Sequence, residues 1–184
     1  VGAAFAQDKG PTIVSASHNA YASDRTLLVP GRESTADYLV KQLLGHQSIQ
    51  YCDFKNVVPL LLQHSDWMGV VIHESGGCLR QHGLHVLMDL SKQWYERTAK
   101  LLPLGGLVLK NTHSIELENQ FCDLIRQSID YAKVHPNEVT PLLLKYSQEK
   151  DPKVLWSHIH NYVTKDTYDL SKAAEESIAY FMAK

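Results

Sequence analysis

The sequence is poor in cysteine. Its three, Cys52, Cys78 and Cys122, lie far apart and form no C-x-x-C pair. Neither a structural zinc site nor a disulfide framework is therefore expected, and a reducing, cytoplasmic setting fits. No apolar run approaches the length of a signal-peptide core or a membrane-spanning helix, so no membrane partner is expected. Charge of one sign is also missing. Lys and Arg number 18 against 20 Asp and Glu, the formal net charge is -2 and the pI is about 6.6. Without a basic stripe, nucleic acid and anionic membranes are excluded as main partners. There is no H-E-x-x-H zinc motif, because position 77 is Gly, and no metal is expected. Internal repeats and low-complexity tracts are absent. The chain opens Val1-Gly2-Ala3-Ala4-Phe5-Ala6 without Met, which reads as a start inside a longer protein.

What is present is ordinary globular composition: 184 residues, 44% hydrophobic and 21% charged. A core can be buried without covalent staples, and the length allows one domain or two small lobes.

The first half alternates strand-like and helix-like segments. Thr12-Ile13-Val14-Ser15 and Thr26-Leu27-Leu28-Val29 read as short strands, the second closed by Pro30-Gly31. An amphipathic stretch runs from Ser34 to Leu44, with Ser34 or Thr35 suited to cap it and Gly45 to end it. Ile49 to Cys52 reads as a weak strand and Val57 to Gln63 as a helix. Trp67 to Ile72 is the strongest strand, and Val86 to Leu90 is another. Helix-like spacing spans Ser91 to Leu101. Pro103-Leu104-Gly105-Gly106 then breaks the chain before a strand at Leu107-Val108-Leu109. Short apolar strands alternating with helices predict an α/β fold, with a mostly parallel sheet covered on both faces. From residue 115 onward the pattern is helical, with helices expected over 115–134, 136–147, 151–164 and 171–183.

Three segments can carry chemistry. Pro30-Gly31-Arg32-Glu33-Ser34-Thr35 joins a strand end to a helix start, where free N–H groups and two hydroxyls suit an anion. Plain N-capping by Ser34 or Thr35 is the simpler role, and the two are compatible. Ile72-His73-Glu74-Ser75 comes directly after the strongest strand. A histidine there can exchange a proton near neutrality, or can be a half-buried, hydrogen-bonded strand-end residue. Gly76-Gly77-Cys78 reads as a turn, with a mobile loop as the alternative. Gly105-Gly106 fits a hinge or a tight turn. The pairs His82/His85 and His158/His160 have no metal-site spacing and read as structural or solvated.

The motifs fall in one order: Gly10-Pro11 before a strand, Pro30-Gly31-x-x-Ser34-Thr35-Ala36, Gly69-Val-Val-Ile-His73-Glu74-Ser75, Gly83-Leu84-His85 before Asp89-Leu90, Pro103-Leu104-Gly105-Gly106, and Ser128-Ile-Asp-Tyr-Ala with His135-Pro136. Over nearly the whole chain this order resembles the 1,4-dihydroxy-6-naphthoate synthase family of the futalosine route to menaquinone. The related chorismate dehydratases typically have a Gly-Asp pair where this chain has Ile72-His73-Glu74. The resemblance implies a fold like type II periplasmic binding proteins, with two lobes, a cleft between them and a helical C-terminal tail. It places the second α/β lobe and its two crossing strands in residues 1–110, and a helical part returning to the first lobe in 111–184. It further implies that about 80–90 residues of the first lobe precede Val1. The implied substrate is a small carboxylate, cyclic dehypoxanthinyl futalosine, cleaved without any cofactor. His73 would be the general base, and Ser34, Thr35, Gly10, Gly105 and Gly106 would touch substrate. A homodimer is left open. The chain departs from the family pattern after Ser75, where Gly76-Gly77-Cys78-Leu79 replaces an Arg-Phe-Thr-Tyr-like stretch. That departure motivates the alternative of a non-catalytic solute-binding protein.

Overall fold

The computed structural model describes residues 1–72, 79, 83–147 and 149–183. These divide into two compact units: Gln7–Lys100, and Val1–Ala6 together with Leu101–Lys184.

The first unit is built on a five-stranded sheet. Its strands are β2 (Thr12–Ser15), β3 (Leu27–Pro30), β4 (Ile49–Cys52), β5 (Met68–Val71) and β6 (His85–Asp89), in the order β4-β3-β5-β2-β6. β3 runs parallel to β4 and β5, while β2 is antiparallel to both its neighbours, β5 and β6. Four strands thus share a direction and β2 alone is reversed. The sheet is therefore mixed, with two parallel and two antiparallel pairings, where a mostly parallel sheet was expected.

Alternation along the strands divides the apolar residues between two faces. Val14, Leu28 and Val71 pack with Val57 and Leu61 of α2 (Phe54–Gln63). Ile13, Leu27, Val29, Met68 and Val70 have the opposite parity and are equally buried. That face is covered by α1 (Thr35–Leu39), by the π-helical turn Val40–Leu44 that continues it, and by α3 (Leu90–Thr98). Gly69 is required where α2 crosses β5, since a Cβ there would lie 2.7 Å from Val57 Cγ1. α2 starts three residues earlier than its apolar spacing suggests, because Asp53 caps it by accepting from the Lys55 N–H.

The second unit holds β1 (Ala4–Ala6) paired antiparallel with β7 (Leu102–Gly105). The expected strand at Leu107-Val108-Leu109 does not form. The strand lies before Gly106, and Pro103 is tolerated in it because a two-stranded ribbon has only edges. Ala3 and Phe5 pack with Ala174, Leu170 and Ile178. The helices are α4 (Ile115–Val134), α5 (Pro136–Tyr146), α6 (Pro152–Tyr162), the short α7 (Lys165–Tyr168) and α8 (Lys172–Met182). Ser114, Asp151 and Ser171 cap α4, α6 and α8, and Pro136 and Pro152 occupy first-turn positions. No helix among the described residues is long and apolar enough to cross a membrane.

Candidate functional site

Because β2 runs against the other strands, its start lies at the same sheet edge as the carboxyl ends of β3, β4, β5 and β6. Thr12 is in register with Val71 on one side and Asp89 on the other, and Pro30 with Cys52. Five segments meet this edge: Gly10-Pro11, Gly31 to Thr35, Asp53, Ile72 at the exit of β5, and Asp89 to Ser91. In sheets of this kind, ligands sit beyond the carboxyl ends of the strands. Topology thus brings Gly10, Ser34 and Thr35 to one edge, together with the strand end that leads into His73. His73 itself lies outside the described residues, as do Glu74, Ser75, Gly76-Gly77-Cys78 and His82. Gly105 and Gly106 belong to the other unit. Gly105 ends β7 opposite Ala4, and neither glycine has a left-handed φ that would demand glycine.

The segment after β3 is tightly specified. Gly31 has φ +88° and Glu33 φ +59°, the latter a left-handed conformation that costs a non-glycine residue about 1–2 kcal/mol. Asp37 holds it in place. Its carboxylate, 2% exposed, accepts from the Glu33 N–H, the Lys41 ammonium and the Tyr51 hydroxyl, each at 2.9 Å. Burial pushes the Asp37 carboxyl up, but these hydrogen bonds and the Lys41 charge outweigh it and leave the group below its ordinary value. Ser34 Oγ accepts from the Asp37 N–H at 3.2 Å and donates to the Gly31 carbonyl at 3.0 Å. The one hydroxyl proton of Ser34 is therefore committed to the loop. Thr35, half-buried one residue later, has no hydrogen-bond partner for its hydroxyl among the described residues.

Gly10 is fixed in a comparable way. Its N–H donates to Ser91 Oγ at 2.9 Å and its carbonyl accepts from the Thr12 hydroxyl at 2.9 Å. Asp89 caps α3, accepting from the Ser91 and Lys92 N–H groups, and takes the Lys9 N–H at 2.7 Å. Lys9 also has a left-handed φ, +57°. Two strained non-glycine residues therefore flank the edge, each held by a buried or half-buried aspartate, and such strain clusters at functional sites. Cys52 ends β4 here as a free thiol. Burial, then the Asp53 charge, pushes its pKa up, which disfavours the thiolate. No group of three or more His, Cys, Asp or Glu residues that could hold a metal occurs among the described residues.

Sequence reasoning missed the Asp37–Tyr51–Lys41 network and the Asp89–Ser91 latch. Two signals were available: Ser34-x-x-Asp37, a capping-box pattern, and Asp37 four residues before Lys41. The partnership with Tyr51 depends on β3–β4 pairing and has no local signature.

The profile of a menaquinone biosynthesis family matches residues 1–184. The chain belongs to that family. Among curated relatives, the 1,4-dihydroxy-6-naphthoate synthase of Thermus thermophilus is 28% identical over 183 residues, covering 100% of this chain and 67% of the relative. The Streptomyces coelicolor protein of the same name is 29% identical over 178 residues, covering 93% of this chain and 63% of its own length. The chain thus spans about two thirds of the length of these relatives. Among solved structures, protein AF1704 of Archaeoglobus fulgidus superposes with a TM-score of 0.90 at 27% identity, covering all of this chain and 70% of that one. The periplasmic aliphatic sulphonate binding protein SsuA of Escherichia coli gives 0.57 at 14% identity, covering 100% and 63%, a likeness of fold alone. The α/β architecture of this menaquinone biosynthesis family member is accordingly of the periplasmic-binding-protein kind.

Within the helical unit, α4, α5 and α6 enclose a groove of about 850 Å³ walled by Ile129, Pro136, Leu143, Trp156 and Ile159. Trp156 Nε1 donates to Thr140 Oγ1 at 2.8 Å. The groove is apolar, and Lys133 and His160 are the ionisable side chains among its lining residues.

Proposed function

We propose that the chain is the catalytic part of a 1,4-dihydroxy-6-naphthoate synthase. The reaction is a carbon–carbon cleavage that converts cyclic dehypoxanthinyl futalosine to 1,4-dihydroxy-6-naphthoate and dihydroxyacetone. The observation that carries this reading is the convergence, at one sheet edge, of the Gly31–Thr35 segment, the Gly10 latch and the end of β5 leading into His73. The names of the curated relatives support the product, 1,4-dihydroxy-6-naphthoate.

In this reading His73 is the general base. Its neutral imidazole takes a proton from the substrate, the carbon–carbon bond breaks, and aromatisation of the ring drives the step forward. A positioned base of this kind contributes about 100- to 10,000-fold in rate. Ser34 and Thr35 hold the substrate carboxylate, Ser34 by shaping the loop and Thr35 through its hydroxyl. Gly10 completes the contacts on this unit.

The test is product analysis with the complete protein. Release of 1,4-dihydroxy-6-naphthoate from cyclic dehypoxanthinyl futalosine is expected, with no turnover of chorismate. Turnover of chorismate instead would assign the related dehydratase reaction. Tight binding of the substrate without any product would assign a solute-binding role.

A further inference from the structure

Arg32 is the second residue of the Gly31–Thr35 segment, exposed to solvent, with its guanidinium carbon 4.5 Å from the centroid of the Tyr51 ring. It makes no ion pair or hydrogen bond with any described residue. Lys41 also approaches the Tyr51 ring, at 6.0 Å, but its ammonium is given to Asp37 at 2.9 Å. The Tyr51 ring is itself fixed, because its hydroxyl donates to the buried Asp37 carboxylate. That same carboxylate holds the Glu33 N–H next to Arg32 in sequence. One buried aspartate thus immobilises both the aromatic surface under the guanidinium and the backbone that carries it. A surface arginine needs neither device. Both make sense for a planar cation that must meet a planar anion in a set orientation, since stacking covers the faces of the guanidinium and leaves its N–H edge available for bidentate bonds.

We propose that Arg32 supplies the positive charge that recognises a substrate carboxylate beside Thr35 at the sheet-edge site, and that Tyr51, held by Asp37, is the shelf that positions it. Arg32 touches the ligand, whereas Tyr51 and Asp37 are positioning residues. The proposal rests on reading this edge as the substrate site but does not require that the reaction be the cleavage described above.

The experiment measures binding of two probes to the complete protein under reducing conditions: 1,4-dihydroxy-6-naphthoate and its 6-carboxamide, equal in shape and different in charge. The wild type is expected to prefer the acid. Arg32→Ala should weaken the acid about 10- to 100-fold, the value of a charge-assisted contact, and leave the carboxamide unchanged. Arg32→Lys should recover part of the loss, because a point charge replaces the fork. Tyr51→Leu, which removes the shelf, should narrow the preference for the acid most, while Tyr51→Phe, which keeps the ring but frees it from Asp37, should narrow it less. A preference unchanged in Arg32→Ala overturns the proposal, as does a wild type that binds the two probes equally or binds neither. Turnover separates the two readings. Arg32-dependent binding of the acid, with no cleavage of cyclic dehypoxanthinyl futalosine by the wild type, leaves Arg32 assigned and removes the lyase. Cleavage by Arg32→Ala with unchanged kcat and KM does the reverse.

Discussion

The sheet unit and the long helices of the other unit differ in how far this 184-residue chain buries their apolar side chains. In the sheet unit Ile13, Leu27, Val29, Leu61, Met68 and Leu90 are wholly buried, and helices cover both faces of the strands. In α4 and α5 no residue is buried, and Ile115, Val134 and Tyr146 are each about three-quarters exposed, at 75%, 72% and 76%. Side-chain N-caps occur in both regions, on α1, α2 and α3 and on α4, though α5 has none. The difference teaches that capping and periodicity decide where a helix begins and ends, while burial decides what it contributes to stability. Backbone strain divides in the same way. The strained, hydrogen-bonded segments at Lys9 and Glu33 occur where a rigid sheet supports them, and the helical unit offers an apolar groove with few convergent polar groups.

Truncation of apolar side chains should expose this contrast most strongly. Leu61→Ala, at a wholly buried position of α2, should cost about 2–5 kcal/mol. Leu124→Ala on α4, 61% exposed in this 184-residue chain, should stay within about 0.5 kcal/mol in that same chain. Denaturant unfolding of both variants compares them directly, and similar losses would break the contrast. Next in size, Gly69→Ala forces a methyl against Val57 and Leu61 and should cost about 1–3 kcal/mol by the same measurement.

Asp37→Asn should cost a similar or smaller amount, about 1–3 kcal/mol at neutral pH, and this loss should depend on pH. The folded-state pKa of Asp37 lies below its unfolded value. Its contribution is therefore complete above the ordinary carboxyl pKa and is lost as pH falls through the folded value. Thermal melts of wild type and variant should converge in acid, and a constant gap would show that the charge is not the cause. The smallest effect expected is a gain. Ala99 ends α3 with φ +53°, and Ala99→Gly should stabilise the sheet unit by up to about 1 kcal/mol, visible as a small rise in melting temperature.

Much of this was legible in the sequence for identifiable reasons. The four long C-terminal helices appear within one or two residues of their expected bounds because Ser114, Pro136, Asp151, Pro152 and Ser171 mark their starts. The strands at 12–15 and 49–52 coincide with their β-branched or aromatic runs, and the others shift by one residue. The strand expected at 107–109 was misplaced because its apolar run is more conspicuous than Leu102-Pro-Leu-Gly, whose pairing with Ala4–Ala6 is long-range. The reversed direction of β2 was not legible, since strand direction depends on connections rather than on composition. At the site, Ser34 and Thr35 stood out as types suited to a helix cap, and Gly10 through its place in the order of motifs. Arg32, Asp37 and Tyr51 did not, because their relation is created by the pairing of β3 with β4.

The central claim is that chemistry at the sheet edge depends on a base at the end of β5. Single-turnover assay of the complete protein carrying His73→Gln, alongside a measurement of substrate affinity, tests it most directly. The account predicts that product formation from cyclic dehypoxanthinyl futalosine falls about 100- to 10,000-fold while the substrate still binds. Turnover at the wild-type rate would contradict it.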